Sequence, residues 1–224
     1  YVLAGTSSYS TTLESENGKY VSGNLFGWGI AHEVGHNINQ GAYAVAEITN
    51  NFFAQLTTAR DTNESVRFKY KNVYEKVTSN TIGSSDNQAT QLAMYWQLHL
   101  AYDRGYNFKT YDTYEEQFNN LFYARVDTYA RDTSRAPAPG GVALKLEGDK
   151  DQIFMRLSCA AAEADLTEYF TRWGMVPNEG TLAYAQQFAK EERAIYYAND
   201  DARVYEIENG TDGNIKDQDM IEDS

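Results

Sequence analysis

The chain has 224 residues and a formal net charge of −13, from 19 basic and 32 acidic side chains. Its content of 42% hydrophobic and 23% charged residues is ordinary for a globular protein, so wholesale disorder is excluded. The acidic balance argues against a nucleic-acid partner, because phosphate binding needs a basic surface, and no apolar stretch is long enough to cross a bilayer.

The first predicted helix begins near residue 26. Its apolar residues recur at every fourth position, at Phe26, Ile30, Val34 and Ile38. Gly41 is expected to end it, in the left-handed conformation that is common just past a helix end. A second helix is predicted directly afterwards, with a buried edge formed by Val45, Ile48, Phe52 and Leu56.

Six further helical patterns follow along the chain. They lie near residues 66–77, 89–100, 114–129, 153–157, 165–173 and 181–194. Asp86 is the predicted N-cap of the second pattern, and Asp165 with Glu168 resembles a capping box for the fifth. A Pro- and Gly-rich loop at 136–141 interrupts the series, and the residues after 204 are polar and acidic. The sequence therefore predicts a mainly α fold with little sheet.

The first predicted helix carries the pattern His32-Glu33-Val34-Gly35-His36. Histidines four positions apart on a helix project from the same side, so their imidazoles can occupy two adjacent corners of a tetrahedral zinc site. The glutamate between them can reach a zinc-bound water without binding the metal, which is the HExxH arrangement with Glu33 as general base. The apolar stripe lies about 200° away around the helix, so we expect it to pack into a core while the imidazoles face a cleft.

Catalytic zinc keeps three protein ligands, so one more ligand is required. We expect Glu47, because a turn at Gly41 can fold the second helix back toward the histidines; Asp61 and Glu64 are the alternatives. The single cysteine, Cys159, is too distant in sequence to be a favoured metal ligand. Because it is the only cysteine, an internal disulfide is excluded.

Four more side chains are candidates for supporting roles. Either Asn50 or Asn51 is expected to orient a ligand by a hydrogen bond. Trp28 either anchors the metal helix or stacks on a sugar, and anchoring is favoured. His99 is expected to be a hydrogen-bonded core residue, with substrate contact as the alternative. For the histidine pair itself, the alternative is a surface or core location without a metal.

The residues around this motif resemble a known family. The run GWGIAHEVGHNINQ, followed by AEITNNFFAQL, is similar to the enhancin-like metallopeptidases, family sixty of the metallopeptidases and a gluzincin group that includes bacterial mucin-degrading enzymes. The resemblance continues in QLAMYWQLHLAY (91–102) and in IFMRLSCAAAEADLTEYFTRWGMVPN (153–178), and covers most of residues 20–200. By this resemblance His32, His36 and Glu47 match the family's metal ligands, and Glu33 matches its base.

The resemblance implies a zinc-dependent endopeptidase, with one catalytic Zn²⁺ ion, that hydrolyses peptide bonds in O-glycosylated, mucin-type proteins. It also implies a bacterial protein that is secreted or attached to the cell surface, with glycan-binding or immunoglobulin-like modules elsewhere in the full-length protein. Two alternatives stay open. One is a zinc endopeptidase whose specificity does not depend on glycans, and the other is a non-catalytic glycan-binding module on a zincin scaffold.

The implied architecture is an α+β zincin catalytic domain, with a gluzincin-type metal helix and a helical subdomain. Family members usually carry a β-rich portion before the metal helix, and we expect this chain to lack it or to hold only its last strands. The expected organisation is a metal-binding catalytic segment at 1–62, a helical subdomain of the same domain at 63–204, and an acidic linker or tail at 205–224. The chain begins at Tyr1 without a signal-peptide pattern, which is typical of a mature product or of a piece of a longer protein.

Overall fold

The computed structural model describes residues 28–59, 68–78, 88–103 and 121–199. Within these ranges the chain forms eight α-helices: α1 Trp28–Ile38, α2 Thr49–Ala59, α3 Tyr70–Thr78, α4 Gln88–Tyr102, α5 Phe122–Arg131, α6 Lys150–Ala162, α7 Thr167–Arg172 and α8 Glu179–Ala185. Short 3₁₀ helices lie at Thr133–Arg135 and Ile195–Tyr197. In this described part, strand-like pairing is confined to one isolated bridge, between Asp165 and Lys190. The predicted mainly α fold is confirmed.

The two helices of the metal motif pack directly against each other. Gly35 of α1 makes this close approach possible, because a Cβ atom at its position would lie 2.6 Å from the backbone oxygen of Asn50 on α2. Residues three and four positions apart share a helix face, so Gly35 lies on the same side of α1 as His32 and His36. The contact through Gly35 therefore turns the histidine face toward α2.

Substitution of Gly35 by alanine is expected to destabilise the fold. The added methyl group would overlap the α2 backbone, and overpacking of this kind costs about 1–3 kcal/mol, more than the roughly 1 kcal/mol that alanine gains over glycine in a helix. Gly41 provides the control, since no atom lies within 4 Å of a Cβ placed there. Urea unfolding should show a lower free energy of unfolding for Gly35→Ala and a change within about 0.5 kcal/mol for Gly41→Ala. Equal stabilities of the two variants would contradict the close packing of α1 on α2.

The apolar stripe of α1 does not pack into a core, contrary to the expectation from its spacing. Val34 is 50% exposed and Ile38 is 43% exposed. The reason lies in the partner helix: α2 approaches on the Gly35 side, where the missing side chain allows the backbones to come close. Val34 lies about 100° around α1 from Gly35, away from this contact, and Ile38 is the last residue of the helix.

Gly41 also differs from the prediction, because it does not adopt a left-handed conformation. α1 ends at Ile38, and the chain leaves it through ordinary hydrogen-bonded turns. In these turns the backbone oxygen of Gln40 accepts hydrogen bonds from the N–H groups of Tyr43 and Ala44. Turns of this type do not require a positive φ, so glycine is tolerated at 41 rather than demanded by the backbone.

The hydrophobic core lies around α4, α6 and α7. Its largest fully buried side chains include Trp96, Phe154, Phe170 and Trp173. Gln97 of α4 ties the core together, because its Oε1 accepts from the indole of Trp173 at 3.0 Å and its Nε2 donates to the backbone oxygen of Tyr196 at 2.7 Å. Phe52 of α2 packs against this body, with its ring centroid 6.0 Å from that of Trp96. Phe52 thus attaches α2 to the core.

The later helices are present, but two details of the prediction are wrong. Asp165 and Glu168 form no capping box: Asp165 accepts from the N–H of Thr167, and Glu168 pairs with Lys190 at 2.8 Å. α8 ends at Ala185 instead of continuing to about residue 194. The following chain makes backbone hydrogen bonds with Asp165, and this tertiary pairing replaces the helix.

Several predicted features fall outside the described residues. They are the start of the first helix at Phe26, Val66, the N-cap at Asp86, residues 114–120 and the acidic segment 205–224. None of the described helices combines the length and the apolar character that crossing a bilayer requires.

Candidate metal centre

The two histidines of α1 lie one helical turn apart and face the same carboxylate. Nε2 of His32 is 3.2 Å from Oε2 of Glu47, and Nε2 of His36 is 3.2 Å from Oε1 of the same side chain. The imidazole rings are nearly perpendicular, with their centroids 4.8 Å apart. The side chains are 18%, 37% and 45% exposed for His32, His36 and Glu47, so the group lies at the surface.

Glu47 occupies a turn before α2, not the helix itself as its place in the apolar pattern indicated. Its φ of 64° is left-handed, a conformation that costs a residue with a Cβ about 1–2 kcal/mol. The turn is held by Thr49, whose hydroxyl donates to the backbone oxygen of Val45 at 3.0 Å and accepts from its N–H at 3.1 Å. Backbone strain maintained by surrounding bonds in this way is characteristic of functional positions.

Asn51 connects the turn to the histidine pair. Its Oδ1 is 2.6 Å from Nδ1 of His32, and its Nδ2 donates to the backbone oxygen of Glu47. Because a backbone oxygen only accepts, the second bond determines which end of the Asn51 amide faces His32. That end is the oxygen, so this contact favours a proton on Nδ1 and a lone pair on Nε2, toward Glu47; Nδ2 of Asn50 also lies 3.1 Å from Nδ1.

The donor set fits a divalent cation. The Nε2 lone pair of His32 and the Glu47 carboxylate are both electron donors, and they face each other at a distance at which they repel unless a cation or proton lies between them. Zinc–ligand bonds of about 2.0–2.2 Å at tetrahedral angles separate neighbouring donors by about 3.3 Å, close to the spacing found here. One donor atom from each of the three side chains lies within 4.8 Å of the others. Two histidine nitrogens with one carboxylate are a ligand set of open catalytic zinc sites.

Asn50 closes the site on the α2 side. Its side chain is fully buried, and Nδ2 lies 3.2 Å from Nε2 of both His32 and His36. Its Oδ1 is buried and has no hydrogen-bond partner among the described residues. Buried polar atoms without a hydrogen-bond partner are uncommon in folded proteins, so the site holds one polar atom that its own contacts do not satisfy.

The other predicted site residues take different positions. Glu33 is exposed on α1, next to His32 and outside the group of metal donors. Trp28 is partly buried and packs against the core, which supports the anchoring interpretation. His99 is 1% exposed in the core, where its Nδ1 lies 2.5 Å from Oδ2 of Asp103. The structure thus brings Asn50 and Asn51 to the metal donors and places His99 in the core.

Two of the alternative ligands, Asp61 and Glu64, lie outside the described residues. Cys159 is buried on α6, where burial raises the pKa of its thiol to about 12. Because a thiol binds zinc as the thiolate, this environment does not suit a metal ligand.

Asn51 gives a prediction for metal affinity. Replacing Asn51 with alanine removes the bond that holds the His32 tautomer, and the loss of such a supporting contact typically weakens metal binding about 10- to 100-fold. Zinc titration against a chelating indicator measures this. Asn72→Ala, at an exposed position on α3, is the control and should leave the zinc dissociation constant unchanged. Equal affinities of the two variants would show that Asn51 does not support His32.

Sequence reasoning missed the turn that presents Glu47. A left-handed position is usually marked by glycine or asparagine, so a glutamate there gives no signal. Thr49 did give a signal for a helix start at this point, because threonine is common at the start of helices, where its hydroxyl bonds to nearby backbone groups.

Comparisons with known proteins identify the family of this chain. The model of the family Peptidase M60, enhancin and enhancin-like, matches residues 1–174. A search of curated proteins gives no match.

Solved structures from Clostridium perfringens are similar to this chain. One is the ZmpB metallopeptidase, with 26% sequence identity and a TM-score of 0.56; the match covers 80% of this chain and 33% of that chain. Another is a structure of the CBM32-1, CBM32-2 and M60 catalytic domains of ZmpB, with 26% identity and a TM-score of 0.57; the match covers 80% of this chain and 17% of that chain. A third is the M60 catalytic domain of ZmpC in complex with the sialyl T antigen, with 25% identity and a TM-score of 0.54; the match covers 78% of this chain and 32% of that chain. This chain therefore spans a third or less of the length of these three solved chains.

The match of the family model over most of the chain agrees with the likeness to M60 metallopeptidase structures and with the convergence of two histidines and a glutamate. The chain belongs to the Peptidase M60 family of enhancin and enhancin-like metallopeptidases.

Proposed function

We propose that this chain is part of a zinc-dependent endopeptidase that hydrolyses peptide bonds in O-glycosylated, mucin-type proteins. Residues 1–62 would form the metal-binding segment of its catalytic domain, residues 63–204 the helical subdomain, and residues 205–224 an acidic linker or tail. The observation that carries the proposal is the position of the Glu47 carboxylate, 3.2 Å from Nε2 of both His32 and His36.

His32, His36 and Glu47 would hold the zinc ion, and Asn51 would keep the His32 lone pair directed at it. A bound zinc ion supplies a Lewis acid that polarises a carbonyl and lowers the pKa of water. Glu33 then acts as the general base: its carboxylate takes a proton from the attacking water and passes it to the leaving amine. The exposure of Glu33 and the partial exposure of the ligands leave the site accessible to a polypeptide substrate.

Specificity for glycosylated substrates is supported by the relatives. The catalytic domain of ZmpC has been solved in complex with the sialyl T antigen, and ZmpB carries CBM32 domains beside its M60 domain. We extend glycan recognition to this protein by analogy, together with further glycan-binding or immunoglobulin-like modules and a place outside the cell or on its surface.

Digestion of a defined O-glycopeptide, before and after enzymatic removal of its sugars, tests the specificity. We expect fragments in the mass spectrum only while the glycan is present. Equal cleavage after deglycosylation would establish a glycan-independent zinc endopeptidase instead. Glycopeptide binding with no cleavage of either form would establish a non-catalytic binding module.

A further inference from the structure

The segment that joins α1 to Glu47 buries one side chain in the helical body. Among residues 39–47, Tyr43 alone is buried, with 5% of its surface exposed. The residues on either side of it are partly or fully exposed. Ala42 and Val45 also pack against the core but stay partly exposed, so Tyr43 is the most deeply buried attachment of this segment.

Two helices distant in sequence receive the Tyr43 side chain. Its hydroxyl donates to Oδ1 of Asp127 on α5 at 2.6 Å. Its ring stacks on Phe154 of α6, with the centroids 5.4 Å apart and the planes inclined by 28°. Lys150, at the start of α6, donates to the backbone oxygen of Ala44. The segment is thus bound to α5 and α6 four residues before Glu47.

The Tyr43 hydroxyl supports Asp127 in return. Burial raises the pKa of the Asp127 carboxyl, while the hydrogen bond from Tyr43 and the nearby Arg131 oppose that effect. A phenol donating to a buried carboxylate is a charge-assisted bond, which is stronger than a neutral one. Breaking it leaves Asp127 without this donor, so the contact resists displacement of the segment.

We expect the turn at Glu47 to depend on the attachment of Tyr43 to α5 and α6. Glu47 has a left-handed backbone, and such a conformation persists only where its surroundings determine it. The bonds from Thr49 and Asn51 hold the α2 side of the turn. On the α1 side, the segment passes through exposed Gly41 before it reaches Tyr43.

We propose that Tyr43 and Asp127 are positioning residues of the metal centre, which hold the segment before Glu47 so that its carboxylate faces His32 and His36. The helical body then contributes to the metal affinity through this contact. The inference rests on the proposed zinc site. Its physical basis is preorganisation: when a binding-competent arrangement is populated only in part, the apparent affinity falls by that fraction.

The test measures zinc binding to the purified protein by competition with a chelating indicator. Tyr43→Phe removes the hydroxyl and keeps the ring on Phe154, and we expect about tenfold weaker zinc binding. Asp127→Ala should have the same effect. Asp127→Asn, which keeps a neutral oxygen acceptor for the Tyr43 hydroxyl, should lose less affinity than Asp127→Ala. With cobalt in place of zinc, the visible absorption spectrum reports any change in coordination for each variant.

Tyr102→Phe is the matched control. Tyr102 also donates to a carboxylate, Oε2 of Glu191 at 2.6 Å, but this bond joins the end of α4 to the 189–194 segment. The variant loses the same type of bond, so its melting temperature should fall by an amount similar to that of Tyr43→Phe. Its zinc affinity should not change.

Wild-type affinity in Tyr43→Phe, or an equal loss in Tyr102→Phe, would overturn the positioning role and leave the zinc site intact. Failure of the wild-type protein to bind zinc would overturn the proposed function, and this inference with it. Weaker zinc binding in Tyr43→Phe and Asp127→Ala alone is the result that supports the inference.

Discussion

Replacing Glu33 by glutamine is expected to lower kcat by about 10²- to 10⁴-fold while zinc binding stays unchanged. The glutamine side chain has the same size but cannot accept and return a proton at neutral pH. Glu33 lies one residue beyond His32 and is not one of the three grouped donors, so the change leaves the ligand set intact. Steady-state kinetics on an O-glycopeptide, with metal content measured on the same sample, separate the two effects.

The control for this experiment is Glu147→Gln, which alters a side chain 76% exposed in the loop before α6. It should have wild-type activity and metal content. Full activity in Glu33→Gln would show that another group acts as the base. Loss of zinc from Glu33→Gln would place Glu33 among the ligands, which is a different kind of site.

Replacing His32 by alanine is expected to abolish both zinc binding and peptidase activity. The variant loses one nitrogen ligand and also leaves Oδ1 of Asn51 without its partner. The loss of affinity should exceed the roughly 10- to 100-fold expected for removing a supporting hydrogen bond alone. Zinc content after gel filtration, together with titration against a chelator, measures the effect.

Asn37→Ala is the control for this second prediction. Asn37 is exposed on α1, one residue past His36, and its side chain bonds only to the backbone oxygen of Glu33 among the contacts described. Zinc binding should therefore survive this substitution. If His32→Ala keeps zinc with wild-type affinity, the ion is bound elsewhere and the proposed centre is wrong.

The histidine pair was predictable because its geometry is local. The i, i+4 spacing of His32 and His36 determines their common face as soon as the segment is helical, whatever the rest of the molecule does. Ile48, just before α2, and Phe52 of α2 are buried as their spacing indicated. The exposure of Val34 and Ile38 could not be inferred in the same way, because the periodicity of a helix does not indicate the side on which its partner helix packs.

The roles of the two neighbouring asparagines could not be separated from sequence either. Asn50 and Asn51 have the same chemistry and differ by about 100° around α2. Only the packing of α1 on α2 directs Oδ1 of Asn51 to Nδ1 of His32 and leaves Asn50 buried beneath both imidazoles. Similarly, the residues that separate Tyr43 from Asp127 in the chain contain no signal that the two side chains meet.

The sequence by itself determined the helical class and the common face of the two imidazoles, since these follow from composition and from spacing along one helix; Glu33 as base and Glu47 as third ligand stay predictions. Tertiary structure alone decided the left-handed backbone of Glu47, the contact between Asn51 and His32, and the contact of Tyr43 with Asp127. The physical reason is that hydrogen bonds between near neighbours set the geometry of a helix. The approach of two distant segments depends on how closely their surfaces pack. α1 and α2 can pack closely at Gly35 because glycine has no Cβ atom.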